Sequence, residues 1–148
     1  MQLRKFVVAK KLVVILDTNV FISGLLSPNG VPGAIIRKFR QGEFHVVSSK
    51  EQFEEILDVM ERPHIKKILP ESIRNDLVTF LKKLKKLIQI FKTTKHKWDF
   101  VDEGDHFLFD LILASKADYL VTGDKKVVNE RMIENCHIVS PVEFLAGF

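Results

Sequence analysis

The sequence predicts an α/β protein, a Rossmann-like three-layer αβα sandwich around a central parallel sheet. One observation is the alternation of short, continuous, β-branched apolar runs with longer amphipathic segments, the pattern of right-handed βαβ crossovers. A second is that each of the most apolar runs stops at polar residues that also open a helical segment, as Leu12 to Leu16 stops at Asp17. The third is size: 148 residues with 46% hydrophobic and 28% charged composition suit one hydrophobic core that needs no staple. The single cysteine, Cys136, rules out an intrachain disulfide and a CxxC zinc knuckle. A single domain over residues 1–148 is therefore expected, with its core from about 12 to 139.

The elements follow in order. Leu12 to Leu16 is the first buried strand, and Asn19 to Leu26 the first helix, closed by the Ser27-Pro28-Asn29-Gly30 turn. Pro32 fits the first turn of a second helix with Ile35, Ile36 and Phe39 as its apolar stripe; Gly42 ends it. Phe44 to Val47 is the second strand. Ser49 and Gln52 form a capping box for a helix carrying Phe53, Ile56, Leu57 and Met60 on one face, which Pro63 breaks. After a short helical piece at Ile65 to Leu69, the leucine spacing predicts one long amphipathic helix from Glu71 to Leu87. Ile88 to Phe91 is a third strand. Beyond a polar loop come a helix at Asp105 to Lys116, a strand at Tyr119 to Thr122, a helix at Lys125 to Asn135, a strand at His137 to Val139 and a final helical turn at Pro141 to Leu145.

Net charge is +4, but it is segregated. Arg62 to Lys97 holds eleven basic residues against two acids, whereas Asp99 to Asp124 holds seven acids against Lys116 alone. A polyanion would be drawn to the first segment and repelled by the second unless cations sat there, which points to nucleic acid and divalent metal. No apolar run approaches the roughly 20 residues of a membrane helix, and the N-terminal stretch lacks the features of a signal peptide. A protein of a reducing, cytoplasmic compartment with no membrane partner is expected.

Four acids stand where chemistry is expected in such a sheet. Asp17 and Asp124 directly follow strands, and ligands in open α/β sheets bind outside the carboxyl ends of strands. Asp105 opens a helix after the acidic loop, and Glu55 lies about a turn into the helix after the second strand, among Glu51, Glu54 and Asp58. Each alone also reads as a helix cap or a solvated surface acid. Together they can converge on one rim, where crowded carboxylates need cations to stay ionised. Hard oxygen donors suit Mg²⁺ or Mn²⁺ and metal-assisted phosphodiester hydrolysis.

Leu16-Asp17-Thr18-Asn19-Val20-Phe21-Ile22-Ser23, Glu55 followed by Arg62-Pro63, Asp102-Glu103-Gly104-Asp105, and Ala117-Asp118-Tyr119-Leu120-Val121-Thr122-Gly123-Asp124 together closely resemble the PIN-domain proteins (PilT N-terminus-like ribonucleases). The nearest likeness is to the branch of toxin components of toxin–antitoxin systems, and it runs from about Leu12 to Val139. The resemblance implies a compact parallel-sheet sandwich and a Mg²⁺- or Mn²⁺-dependent ribonuclease. Carried over position by position, it makes Asp17, Glu55, Asp105 and Asp124 the catalytic and metal-holding acids, with Asn19 and Thr122 in support and Asp102 as an auxiliary ligand. The Arg62-Pro63 pair fixes Glu55 rather than Glu54. Gly104 stands where the family often has another acid.

RNA is the implied substrate, an antitoxin protein the implied partner, and a homodimer fits the family's habit of pairing through helices. Lys82, Lys83, Lys85 and Lys86 lie opposite the leucine face of their helix, either as RNA-backbone contacts or as a solvated surface. Trp98, among Lys95 and Lys97, anchors its loop or stacks on a base. Cys136 and the scattered histidines carry no nucleophile–base arrangement. The alternative reading is a catalytically weak PIN-like module that binds RNA or protein. A phosphatase or receiver fold fits poorly, because Asn19 stands where the haloacid-type pattern wants a second Asp.

Overall fold

The computed structural model describes residues 10–99 and 102–147. The reading of the N-terminal stretch as lacking a signal peptide concerns residues largely outside that range. Among the described residues, six strands form one sheet: β1 (Val13–Leu16), β2 (His45–Ser49), β3 (Gln89–Phe91), β4 (Tyr119–Val121), β5 (Met132–Ile133) and β6 (Cys136–Val139). Their order is β3-β2-β1-β4-β6-β5. All neighbours pair in parallel except β5 with β6, so the expected central parallel sheet carries one antiparallel strand at its edge.

From β1 the chain builds outward through β2 and β3, then returns to β4 on the other side of β1. That reversal opens a crevice at the carboxyl ends of β1 and β4, where connecting helices leave in opposite directions. Ile15, Leu120 and Val121 are fully buried, as interior parallel strands require. Two clusters of buried side chains cover the two faces of the sheet. One joins Val14, Leu16 and Val46 to helices α1 (Thr18–Leu26), α2 (Val31–Arg40) and α3 (Lys50–Glu61); the other joins Ile15, Val47 and Leu120 to α7 (His106–Ser115). Each fully buried Leu, Ile or Phe contributes roughly 1.5–3 kcal/mol by leaving water.

Local chemistry sets the helix ends. A Cβ on Gly24 would stand 2.5 Å from Ile36 Cγ1 and 2.8 Å from the Pro32 carbonyl oxygen, so only glycine lets α1 and α2 close on each other. Gly42 takes φ +79° after α2, a turn that suits glycine. Ser49 caps α3 by accepting the Gln52 N–H at 3.1 Å. The Gln52 side chain does not complete the expected capping box. Its Nε2 donates to the Leu16 carbonyl at 2.6 Å, and its Oε1 accepts from Ser48 Oγ at 2.7 Å, tying α3 to the ends of β1 and β2.

The structure corrects two expected helices. Glu71 to Leu87 is not continuous. It divides into α5 (Glu71–Arg74) and α6 (Leu77–Leu87), following α4 (Pro63–Lys66). At the break, Asp76 leaves helical geometry and accepts the Thr79 N–H at 3.2 Å, a side-chain-to-backbone bond that competes with the helix. Lys125 to Asn135 likewise holds only α8 (Lys125–Val128). Arg131 and Glu134 then adopt positive φ, and a tight Glu134-Asn135 turn returns Met132-Ile133 as β5 against β6. The last helix, α9 (Pro141–Ala146), carries a full capping box between Ser140 and Glu143.

Candidate functional site

The crevice between β1 and β4 is an open cleft of about 470 Å³ lined by Asp17, Asn19, Glu55, Gly104, Asp105, Phe107, Gly123 and Asp124. All four acids singled out in the sequence therefore meet at one opening, delivered by four segments: the end of β1, the second turn of α3, the single 3-10 turn Glu103–Asp105 before α7, and the turn after β4. Asn19 joins them at the same opening.

Thr122 holds two of these segments together from beneath. Fully buried, it donates its hydroxyl to Asp17 Oδ2 at 2.7 Å and accepts the Asp124 N–H at 3.1 Å. The Asp17 backbone N–H also reaches the Val121 carbonyl, at 2.9 Å. Asp17 Oδ1 faces the Asn19 N–H at 3.4 Å, and Asp124 Oδ1 accepts the Lys126 N–H at 3.0 Å. Both acids cap helices and line the cleft, so the structural and chemical roles coincide.

The electrostatics couple the acids. Partial burial raises the Glu55 pKa first, and the charges of Asp17 and Asp105 raise it further; Arg62 and the Thr18 hydroxyl oppose this. Burial also raises Asp105, followed by Asp17, Asp124 and then Asp102, with His106 opposing. Asp102 is exposed and outside the lining, acting on the site through its charge. Among the described residues, no three His, Cys, Asp or Glu side chains stand close enough together to grip a metal directly. The donor set nevertheless fits a hydrated cation: every side-chain ligand is oxygen, and mutual repulsion leaves negative charge to neutralise. Mg²⁺ characteristically keeps several waters and takes only one or two carboxylates.

Lys82, Lys83, Lys85 and Lys86 are exposed on α6 and do not line the acidic cleft. Lys83 instead borders a groove between α1–α2 and α5–α6 with Arg37 and Arg40. Trp98 is anchored, donating Nε1–H to Asp110 Oδ1 at 3.1 Å and packing on Phe109 at 5.5 Å between centroids. Cys136 is buried, with its thiol pushed up to about 12 by burial and then by Asp118, as suits a packing residue.

Three contributors escaped the sequence reading. Phe107 lines the cleft, but in sequence it is one more apolar helix residue. Gln52 braces the β1 end, but its spacing from Ser49 suggested a cap. Thr18 is buried beside Glu55, with no partner for its hydroxyl in hydrogen-bond geometry among the described residues, and its place between Asp17 and Asn19 was the available signal.

A PIN-domain family model matches residues 13–126, a span containing Asp17, Glu55, Asp105, Thr122 and Asp124. The chain is also 30% identical over 146 residues to an uncharacterized protein of Methanocaldococcus jannaschii, covering 93% of this chain and 92% of that one. The match begins with β1 and ends in α8, so it takes in every strand that frames the crevice. The chain belongs to the PIN-domain family, a nuclease-type fold.

Proposed function

We propose that this protein is a Mg²⁺- or Mn²⁺-dependent endoribonuclease that hydrolyses RNA phosphodiester bonds in the β1–β4 crevice. The observation that supports it most is the convergence of Asp17, Glu55, Asp105 and Asp124 on one cleft, with the pKa values of Glu55 and Asp105 raised by partial burial and then by their acidic neighbours. A fold that holds such a cluster without a compensating basic lining gains from bound cations.

On this reading Asp17, Glu55 and Asp105 would hold the principal metal, directly or through its waters, and Asp124 would help to hold a second. The bound metal supplies Lewis acidity, an easier deprotonation of the attacking water and neutralisation of charge on the phosphate. The chain does the positioning. Thr122 fixes the Asp17 carboxylate, the Gln52 side chain holds the strand end just before it, and Ser49 starts the helix that carries Glu55. No histidine lines the cleft among the described residues, which leaves carboxylates as its proton-holding groups.

The same reading makes the chain the toxin of a toxin–antitoxin pair. Its expected companion is a short reading frame beside its gene whose product inhibits cleavage. The deciding experiment is cleavage of end-labelled single-stranded RNA with Mn²⁺ or Mg²⁺, beside EDTA and beside Asp17→Asn with folding checked by circular dichroism. Metal-dependent cutting that falls below detection in the variant is the expected result. Undiminished cutting by a folded Asp17→Asn protein would take Asp17 out of the catalytic site, and no cutting by the wild type on several RNAs would favour the RNA- or protein-binding module instead.

A further inference from the structure

A second cavity, of about 310 Å³, adjoins the acidic cleft and has no part in the mechanism above. Its lining includes Glu51, Thr93, Lys95, His96, Glu103 and His106. Phe107 belongs to both linings. The remaining walls also run side by side: Glu51 lies one turn before Glu55 on α3, and Glu103 and His106 flank the Gly104-Asp105 pair that faces the cleft. The cavity therefore opens beside the cleft, within reach of a chain seated there.

The lining is chemically mixed. Three carboxylates, Glu51, Glu103 and Asp110, make it a poor phosphate or sulfate site, and among the described residues no group of three His, Cys, Asp or Glu is spaced to hold a metal. Carboxylate acceptors, a lysine donor and an aromatic wall are what a nucleobase uses, with hydrogen bonds at its edges and a flat face against a ring. One wall is rigid. Asp110, 5% exposed, accepts the His96 backbone N–H at 3.1 Å, faces His96 Nδ1 at 3.0 Å and accepts Trp98 Nε1–H at 3.1 Å, all through Oδ1. These bonds strap the segment bearing Lys95 and His96 to α7.

We propose that this cavity is a nucleobase subsite that selects guanine next to the scissile phosphate. Guanine presents N–H donors to a carboxylate such as Glu51 and its O6 and N7 acceptors to Lys95, whereas adenine, cytosine and uracil offer less of that pattern. The subsite rests on the ribonuclease reading and gives it a sequence preference.

The test has two arms on the full-length protein. In EDTA, Trp98, the only tryptophan, 6.1 Å from the His96 ring, reports binding of the four nucleoside 5′-monophosphates by its fluorescence. GMP is expected to bind about tenfold tighter than the others, the scale of one good base-edge contact, and this preference should fall to within about twofold in Glu51→Gln and in Lys95→Met. Both residues are exposed, so folding is not at stake. In the second arm, cleavage sites on a random-sequence RNA with Mn²⁺ should cluster beside guanine for the wild type and scatter for Glu51→Gln. Equal affinity for all four nucleotides, or a GMP preference that survives both substitutions, overturns the subsite. Cutting without guanine bias overturns the subsite and leaves the nuclease standing. GMP-selective binding lost in the variants, with no RNA cut, supports guanine binding in this cavity but overturns the nuclease and with it the place beside a scissile phosphate.

Discussion

The Thr122 hydroxyl serves as donor and acceptor at once, to Asp17 Oδ2 at 2.7 Å and from the Asp124 N–H at 3.1 Å. Thr122→Val keeps the shape and removes both bonds. Leaving groups in a buried position without their partner costs about 1–3 kcal/mol, which a lowered urea midpoint at unchanged slope will register. A partner that orients a metal ligand is worth roughly 10–100-fold in metal affinity, so Mn²⁺ binding by calorimetry should weaken on that scale. Thr122→Ser, which keeps the hydroxyl, should restore most of the affinity. Failure of serine to rescue would assign Thr122 to packing alone.

Helix α3 shows how one element serves both stability and site. Its start is capped by Ser49, its apolar residues Phe53, Ile56 and Met60 enter the core, and Gln52 reaches back to the Leu16 carbonyl at 2.6 Å, one residue before Asp17. Gln52→Leu would leave that carbonyl without the amide, at about 1–3 kcal/mol, and leave the Ser48 hydroxyl only the Ser49 carbonyl at 3.3 Å, and should lower the urea midpoint and RNA cleavage together. A loss of stability with cleavage intact would show that the β1 end is held without this bond. The element also marks where the sequence was legible. Continuous apolar runs and the positions of Asp17, Asp105 and Asp124 just after or before them identified the sheet and the opening, because parallel strands are buried on both faces and helix starts are polar. What the sequence concealed were choices between two local bonds. Gln52 could cap or bridge, and Asp76 could continue a leucine-striped helix or cap a new one. Met132 and Ile133 fit the spacing of a helix, yet edge pairing with β6 decides their structure. Tertiary partners settled each choice, and a periodicity argument does not contain them.

At the scale of the whole molecule, the fold concentrates acids where its own topology opens the sheet, and this sets a conflict between folding and function. Glu55 and Asp105 have raised pKa values, so the folded state holds their protons more tightly than the unfolded chain does. Their contribution to stability is therefore fully present below the unfolded carboxylate value and is lost as pH rises through the raised folded values. Glu143 runs the other way: its backbone and side-chain bonds with Ser140 lower its pKa, so its contribution is present above the unfolded value and lost on acidification through the folded one. Bulk pH stability mixes these opposing signs, and a single substitution separates them. In EDTA at pH 7, Glu55→Gln should be more stable than the wild type, by less than about 1 kcal/mol because Glu55 is only partly buried and water screens its charge. The difference should shrink toward zero below about pH 4, where the wild-type carboxyl is protonated as well. Saturating Mn²⁺ should reverse the order. A cation that binds only the folded wild type adds about 2.7 kcal/mol at a hundred times its Kd, and less to a variant with one carboxylate fewer. Thermal melts of both proteins, with and without Mn²⁺ at the two pH values, check all three statements. A variant that gains as much from Mn²⁺ as the wild type would remove Glu55 from the metal site, while its advantage in EDTA would still mark it as part of the repelling cluster.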